Sequence, residues 1–323
     1  MLELTIKVLG VSIEEFFARF GETKESILEF IKKGLRYGVV YTHSGPEFHA
    51  DETFALALLE IYRKHLNEIG GKELYPPFKV IRSRNVPKSF KGLVLDEGYG
   101  FLDHHFKKEL AAFRNNGIQY ATAGILWYVL GLELVTIDYF EEVDYKIFQN
   151  VDALDNGQNA DATLCNIIAS FVPNWDETDL VLEEQMKLAI DFAEKYLERT
   201  IKNCSSRNKA KEHILKDMNT TEDKIVGLSK SMPWQEVLVP MSAEYVVFYN
   251  GLEWCAQVVP VKPGSFEFKN GKGFPVHWRG LRNSDLEKVC DITDVVFCHN
   301  TGFFMAGKTK ESMFKACEIA LES

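Results

Sequence analysis

Two short apolar runs each break off on a metal-liganding side chain, and this limits the folds open to the chain more than any other feature. Tyr37-Gly-Val-Val-Tyr-Thr42 has the β-branched and aromatic content of a buried strand and delivers His43 at its carboxyl end. Gly92-Leu-Val-Leu does the same for Asp96. Between them, Ala50-Asp-Glu-Thr-Phe-Ala-Leu-Ala-Leu-Leu-Glu-Ile-Tyr is strongly helical and carries Asp51 and Glu52 in its first turn. Strands near 78–82 and 92–96, alternating with helices near 119–131 and 138–154, predict an α/β chain with a doubly wound parallel sheet. Ligands of such sheets gather outside the carboxyl ends of the strands, where His43 and Asp96 fall.

Other imidazoles and carboxylates join them. His43, His49 and Asp51 lie around one strand-to-helix turn, so three ligands can converge at little cost in chain entropy. Helix capping by His49 and dipole complementation by Asp51 are the bland alternative. Asp96 can bridge two ions or simply serve the turn before Gly98. Asp103-His104-His105 is stronger, offering one metal ligand, one group to touch substrate and one carboxylate to orient a ring. Asp152 and Asp155 share a helix face. Asp155-Asn-Gly157 reads as a helix stop, which leaves Asp152 as the better ligand. This donor set suits Mn²⁺, Mg²⁺, Fe²⁺ or Zn²⁺ and predicts a hydrolase working through two divalent ions.

Composition narrows the partners. The net charge of -10 opposes indiscriminate binding to long nucleic acid. Residues 261–310 run against that trend, with eight basic residues to five acidic ones, and suit a short phosphate-bearing ligand. No apolar run approaches the ~20 residues that span a bilayer, so no membrane partner is expected. The amino-terminal stretch lacks the pattern of a secretory signal, which makes a cytoplasmic location the expectation. Six widely spaced cysteines form no C-x-x-C pair and read as reduced core residues.

Along the chain, residues 1–36 read as a helical extension with a capping box at Ser12-Ile-Glu-Glu15, and 37–202 as the metal-binding catalytic domain. The latter ends in a long helix from Thr178 to about Ile201. Residues 203–234 read as a linker with helical character, its Ser205-Ser206-Arg-Asn-Lys loop-like, and 235–323 as a smaller α/β substrate-binding domain. Strands are expected there at 245–249, 254–260 and 294–299, with a closing helix at 311–321. Gly302-Phe-Phe-Met-Ala-Gly307-Lys308-Thr309 fits the P-loop pattern. Too little chain follows to supply the acid such a loop needs, and its bulky residues crowd the cradle. A glycine-lined loop with Lys308 at a helix N-terminus remains the expectation, with Arg279, Arg282 and His299 as companions on a phosphate.

The ordered set His43/His49/Asp51, Asp96, Asp103-His104-His105 and Asp152 resembles the four motifs of the DHH phosphoesterase superfamily. Within it, the chain is similar to the Myg (melanocyte proliferating gene) family, also called metal-dependent protein hydrolase. Thr42-His-Ser-Gly, Phe48-His-Ala-Asp-Glu52, Val151-Asp-Ala-Leu-Asp-Asn-Gly157, Pro233-Trp234, Trp278-Arg-Gly-Leu-Arg282 and His299-Asn-Thr-Gly-Phe303 carry the similarity from about 37 to the C-terminus. The interval from His43 to His49 is one residue longer than the family pattern, and that from Asp96 to Asp103 is shorter.

The resemblance implies a two-domain DHH fold, two Mn²⁺-type ions and exonuclease activity, chiefly on RNA. It implies His43, His49 and Asp96 on one ion, Asp51, Asp96, His104 and Asp152 on the other, and His105 against the phosphate. Asp96 and His105 are the catalytic expectation; Arg279, Arg282, His299, Gly302, Gly307 and Lys308 are the substrate-binding one. The expected substrate is a short RNA or DNA oligonucleotide, and a homodimer is compatible with the reading. A small-molecule phosphatase or pyrophosphatase, and a non-catalytic RNA-binding relative, are the rival classes.

Overall fold

The computed structural model describes residues 10–71, 73–98, 100–177 and 181–323. The chain divides into two compact units, Met1–Cys204 and Ser205–Ser323. In the first, α1 (Ile13–Ala18) and α2 (Lys24–Leu35) precede β1 (Val39–Thr42), α3 (Ala50–Gly70), β2 (Lys79–Arg82) and β3 (Leu93–Val94). Then come α4 (Thr122–Leu134), α5 (Ile137–Val143), a π turn at Asp144–Phe148, α6 (Gln149–Asp155), α7 (Thr163–Ala169) and the first part of α8 (Leu182–Asp217), which runs past the division at Cys204. The start expected for the last helix, Thr178, lies outside the described residues.

The three strands form a parallel sheet in the order β2-β1-β3, with Val40 opposite both Val80 and Leu93. Parallel pairing makes every strand end on the same edge, so His43, Ser83 and the turn at Asp96 emerge together. Helix α3 is apolar on all sides from Phe54 to Leu59, as a helix enclosed by protein must be. Its neighbour α4 is likewise apolar, with Trp127 stacked between Phe140 and Phe148. The two amino-terminal helices bury Phe16, Phe17, Ile27 and Ile31 in the same core. Helix α1 carries the expected capping box, with Ser12 and Glu15 bonded reciprocally.

The second unit contains β4 (Ile225–Gly227), α9 (Gln235–Leu238), β5 (Tyr245–Tyr249), β6 (Trp254–Val258), α10 (Asn283–Cys290), β7 (Val295–Cys298), β8 (Phe304–Gly307) and α11 (Lys310–Glu322). Its sheet runs β4-β5-β6-β8-β7, parallel only between β4 and β5. Three readings are corrected here. Ser205–Lys209 is helical, continuing α8, with Cys204 buried before it and Ala210 and Ile214 buried on one face after it, which the local polarity hides. Strand β4, inside the stretch read as linker, was not expected.

The third correction concerns the glycine-rich segment, which is a strand over Phe304–Gly307 and not a loop, since Met305 and Ala306 are core residues. Its backbone is engaged by β6 and β7, and the Lys308 N–H donates to the Asp294 carbonyl. No cradle of free amides remains to wrap a phosphate. No described helix is long and apolar enough to cross a membrane.

Candidate metal centre

The sheet edge assembles the site. β1 hands over to His43, α3 opens with Asp51 and Glu52, and Asp96 follows β3 in a left-handed backbone conformation, φ 54°. That conformation costs most residues about 1 kcal/mol or more, and Asp and Asn tolerate it best. It aims the carboxylate at three imidazoles. His43 Nδ1 lies 3.0 Å from Asp96 Oδ2, while His104 Nε2 and His105 Nδ1 lie 3.1 and 3.3 Å from Oδ1.

Around His104 the carboxylates continue. Its Nε2 is 3.2 Å from Asp155 Oδ2 and 4.0 Å from Asp51 Oδ2. Asp51 is completely enclosed and accepts hydrogen bonds from the Thr122 and Ala123 amides at the start of α4, 3.1 and 2.6 Å. Asp103 accepts from the His105 N–H and sits 2.8 Å from His105 Nδ1, which orients that ring. Buried Glu52 accepts from Thr42 Oγ1, lies 3.5 Å from His43 Nδ1 and has Arg82 at 3.8 Å.

The electrostatics follow from crowding several acids into little water. Burial raises the Asp51 carboxyl well above its ordinary range, and the charges of Asp155 and Asp96 raise it further. Burial also raises Asp155. Burial opposes the charge on His104, but the hydrogen bond to Asp96 and the nearby Asp51 and Asp155 outweigh it and push the imidazole up to about 10. Asp96 moves the other way, because its imidazole partners overcome burial and hold it below the usual carboxylate range.

Two triplets, Asp96–His104–His105 and Asp51–His104–Asp155, keep their ligand atoms within 4.8 Å of one another, and either could hold a metal ion. Imidazole nitrogen with carboxylate oxygen is the donor set of Mn²⁺-class ions, and a cation amid mutually repelling acids removes the cost of ionising them. The residues present fit a metal. An imidazole nitrogen has one lone pair, so His104 Nε2 serves one ion at a time, whereas the two oxygens of Asp96 can serve two.

The model of the MYG1 exonuclease family, described as an uncharacterised protein family (UPF0160), matches residues 39–321. The chain belongs to the MYG1 family. A MYG1 protein of Saccharomyces cerevisiae is 25% identical over 87% of this chain and 95% of its own length. A protein of Homo sapiens named MYG1 exonuclease is 27% identical over 87% of this chain and 85% of its own. One of Schizosaccharomyces pombe, a MYG1 protein, is 24% identical over 88% and 97%.

In this MYG1 chain the structure places the two aspartates of α6 in different surroundings. Asp152, expected as a ligand, has no side-chain exposure and is turned to Arg114 Nη1 at 2.5 Å, with the Gly124 N–H on its other oxygen. Asp155, read as a helix stop, joins the cluster instead. Sequence spacing placed both on one face; the choice depends on Arg114, which arrives from 38 positions upstream. His49 is exposed, with its ring centroid 5.9 Å from that of His43 and its N–H donating to Glu52 Oε1. Glu52 was missed as a site residue; its place three residues after the helix-capping His49 was the available signal.

The expected substrate-binding residues of the second unit have local partners. Arg279 Nε and Nη2 donate to the Phe274 and Lys272 carbonyls at 2.9 and 2.5 Å, and a Cβ on Gly302 would meet Arg279 Nε at 2.5 Å. Arg282 lies over the Phe297 ring at 4.3 Å, His299 Nδ1 is 2.9 Å from Thr301 Oγ1, and Lys308 Nζ is 3.7 Å from Asp294. Gly307 lies within β8 and close to Met313 and Ser312. Arg279→Ala should therefore lower stability by about 1–2 kcal/mol through two lost hydrogen bonds. Urea unfolding indistinguishable from wild type would assign Arg279 no such bracing role.

Proposed function

We propose that this chain is a metal-dependent phosphodiesterase of DHH type that acts as an exonuclease on short RNA or DNA oligonucleotides. The observation that carries the reading is the convergence of His43, His104 and His105 on Asp96, beside Asp51 and Asp155, at one sheet edge. Several relatives are named MYG1 exonuclease, which supports the same reading. His43, Asp96, Asp51, His104 and Asp155 would hold divalent ions, Mn²⁺ in the first place, with His49 within reach on the rim. Bound there, such ions lower the pKa of water and offset the charge that develops on phosphorus oxygens.

The chain's own residues supply the rest. Asp96 gathers three imidazoles, Glu52 positions His43, and Asp103 holds His105 so that its exposed ring can donate to a phosphate oxygen. The basic surplus of residues 261–310 supports contacts to further phosphates, with Arg282, His299 and Lys308 as the groups to test. Turnover measured with Mn²⁺ on oligoribonucleotides, oligodeoxynucleotides, dinucleotides and pyrophosphate tests the proposal. Cleavage of pyrophosphate alone would move the reading to a pyrophosphatase.

The two adjacent histidines should separate in their roles. His104 is buried among three carboxylates, whereas His105 is more than half exposed and held by Asp103. His104→Ala should lose bound metal; His105→Ala should keep it and lose turnover. Elemental analysis showing equal metal loss in both would refute the division.

Acidity should matter in a defined direction. In the metal-free protein His104, ordinarily near 6.5, is raised, so its stabilising charge is present below about 6.5 and lost as pH climbs towards 10. Asp51 and Asp155 are raised too, so the folded state holds protons that the unfolded chain gives up, and stability again falls with rising pH. Metal binding needs these groups unprotonated. The Tm difference between Mn²⁺-loaded and chelator-treated protein should widen from pH 6 to 9, and a constant difference would contradict the assignment.

A further inference from the structure

Beside the cluster lies a cavity of about 750 Å³ whose walls include His49, Asp51 and Asp155 together with Phe48, Asn166 and Trp175. Its size is that of a site for a small organic ligand. Two features define what that ligand is. Among the described residues no Lys or Arg lines the cavity, and Glu47 adds a carboxylate beyond those of the cluster, so away from the cluster it disfavours phosphate. Trp175, among its lining residues, is 95% exposed, so its indole is open to a planar partner. The Asn174 amide already donates to Glu177, and Asn166 lines the same cavity.

An aromatic platform with an adjacent amide, and no lysine or arginine among the described lining residues, is the chemistry that holds an uncharged heterocycle. Single-stranded nucleic acid is held this way, through the faces and edges of its bases.

We propose that this cavity receives the nucleobase of the substrate's terminal nucleotide, stacked on Trp175 with its edge towards Asn166. This deepens the phosphodiesterase reading and rests on it for the reaction: the base in the cavity places the adjoining phosphodiester at the Asp51–Asp155 end. The exonuclease then recognises the end nucleotide by its base face, with little preference among bases, since every base can stack.

The test uses full-length protein loaded with Mn²⁺, titrated with AMP and with ribose 5-phosphate, binding being followed by calorimetry and tryptophan fluorescence. AMP should bind at least about tenfold more tightly than ribose 5-phosphate, in line with the worth of one stacked base. Trp175→Ala should abolish most of that ratio, and Trp175→Phe should keep most of it. Equal affinities for the two ligands in wild type, or an unchanged ratio in Trp175→Ala, would overturn the assignment. Base-dependent AMP binding without oligonucleotide hydrolysis would remove the phosphodiesterase reading alone. Hydrolysis with no preference for AMP would remove the base site alone.

Discussion

Asp96→Asn should reduce kcat on an oligonucleotide by on the order of a thousandfold or more, equivalent to about 4 kcal/mol of transition-state stabilisation. Asp96 lies within 3.3 Å of three imidazoles, and no other carboxylate of the cluster touches as many. Asparagine keeps the shape and accepts the left-handed backbone at φ 54°, so the fold should persist; alanine would add backbone strain and blur the result. What changes is charge, because an amide oxygen is a weaker ligand and cannot hold His43 and His104 as imidazolium partners. The accompanying measurements are metal content, expected to fall, and Tm in chelator, expected to move by only a few degrees. Near wild-type turnover by Asp96→Asn, or full activity after exhaustive chelation, would remove the metal-centred reading.

Arg114→Ala should destabilise the protein by about 3–5 kcal/mol, the cost of stranding buried acids without their cation. Arg114 grips Asp144 with two nitrogens, at 3.1 and 2.9 Å, reaches Asp152 with a third, and lies 3.9 Å from the centre of the Tyr120 ring. Helix α4 is cut away to make room, since a Cβ on Gly124 would lie 1.8 Å from Asp152 Oδ2 and 2.7 Å from Arg114 Nη2. Gly124→Ala should therefore be destabilising too, although alanine is ordinarily the better helix former by about 1 kcal/mol. Urea unfolding measures both, and the double variant Arg114→Met with Asp152→Asn should recover part of the Arg114→Ala loss. A loss under 1 kcal/mol for Arg114→Ala would mean that water reaches these carboxylates.

The parts of the centre that lie on regular elements were legible in the sequence. His43, Asp51 and Asp96 are found where strand ends and a helix start were expected, because alternation and capping are local properties of a few residues. The Asp103-His104-His105 stretch was visible as composition, but the different surroundings of its two imidazoles were not. Errors concentrated where local and long-range signals disagree. Ser205–Lys209 reads as loop and is helix, since burial of neighbouring positions overrides weak propensity. Phe304–Gly307 carries a loop motif and is a strand, because β6 and β7 supply partners on both sides.

By itself, the sequence determined an α/β chain with metal-type ligands at the carboxyl ends of parallel strands, and the family that owns those motifs. Only the tertiary structure decided which aspartate of α6 reaches the cluster. Helical spacing puts Asp152 and Asp155 on one face and is silent about what lies opposite. The fold brings Arg114 against one and His104 against the other. A buried carboxylate takes the nearest fixed positive partner, and which partner is nearest is a property of packing between segments far apart in the chain.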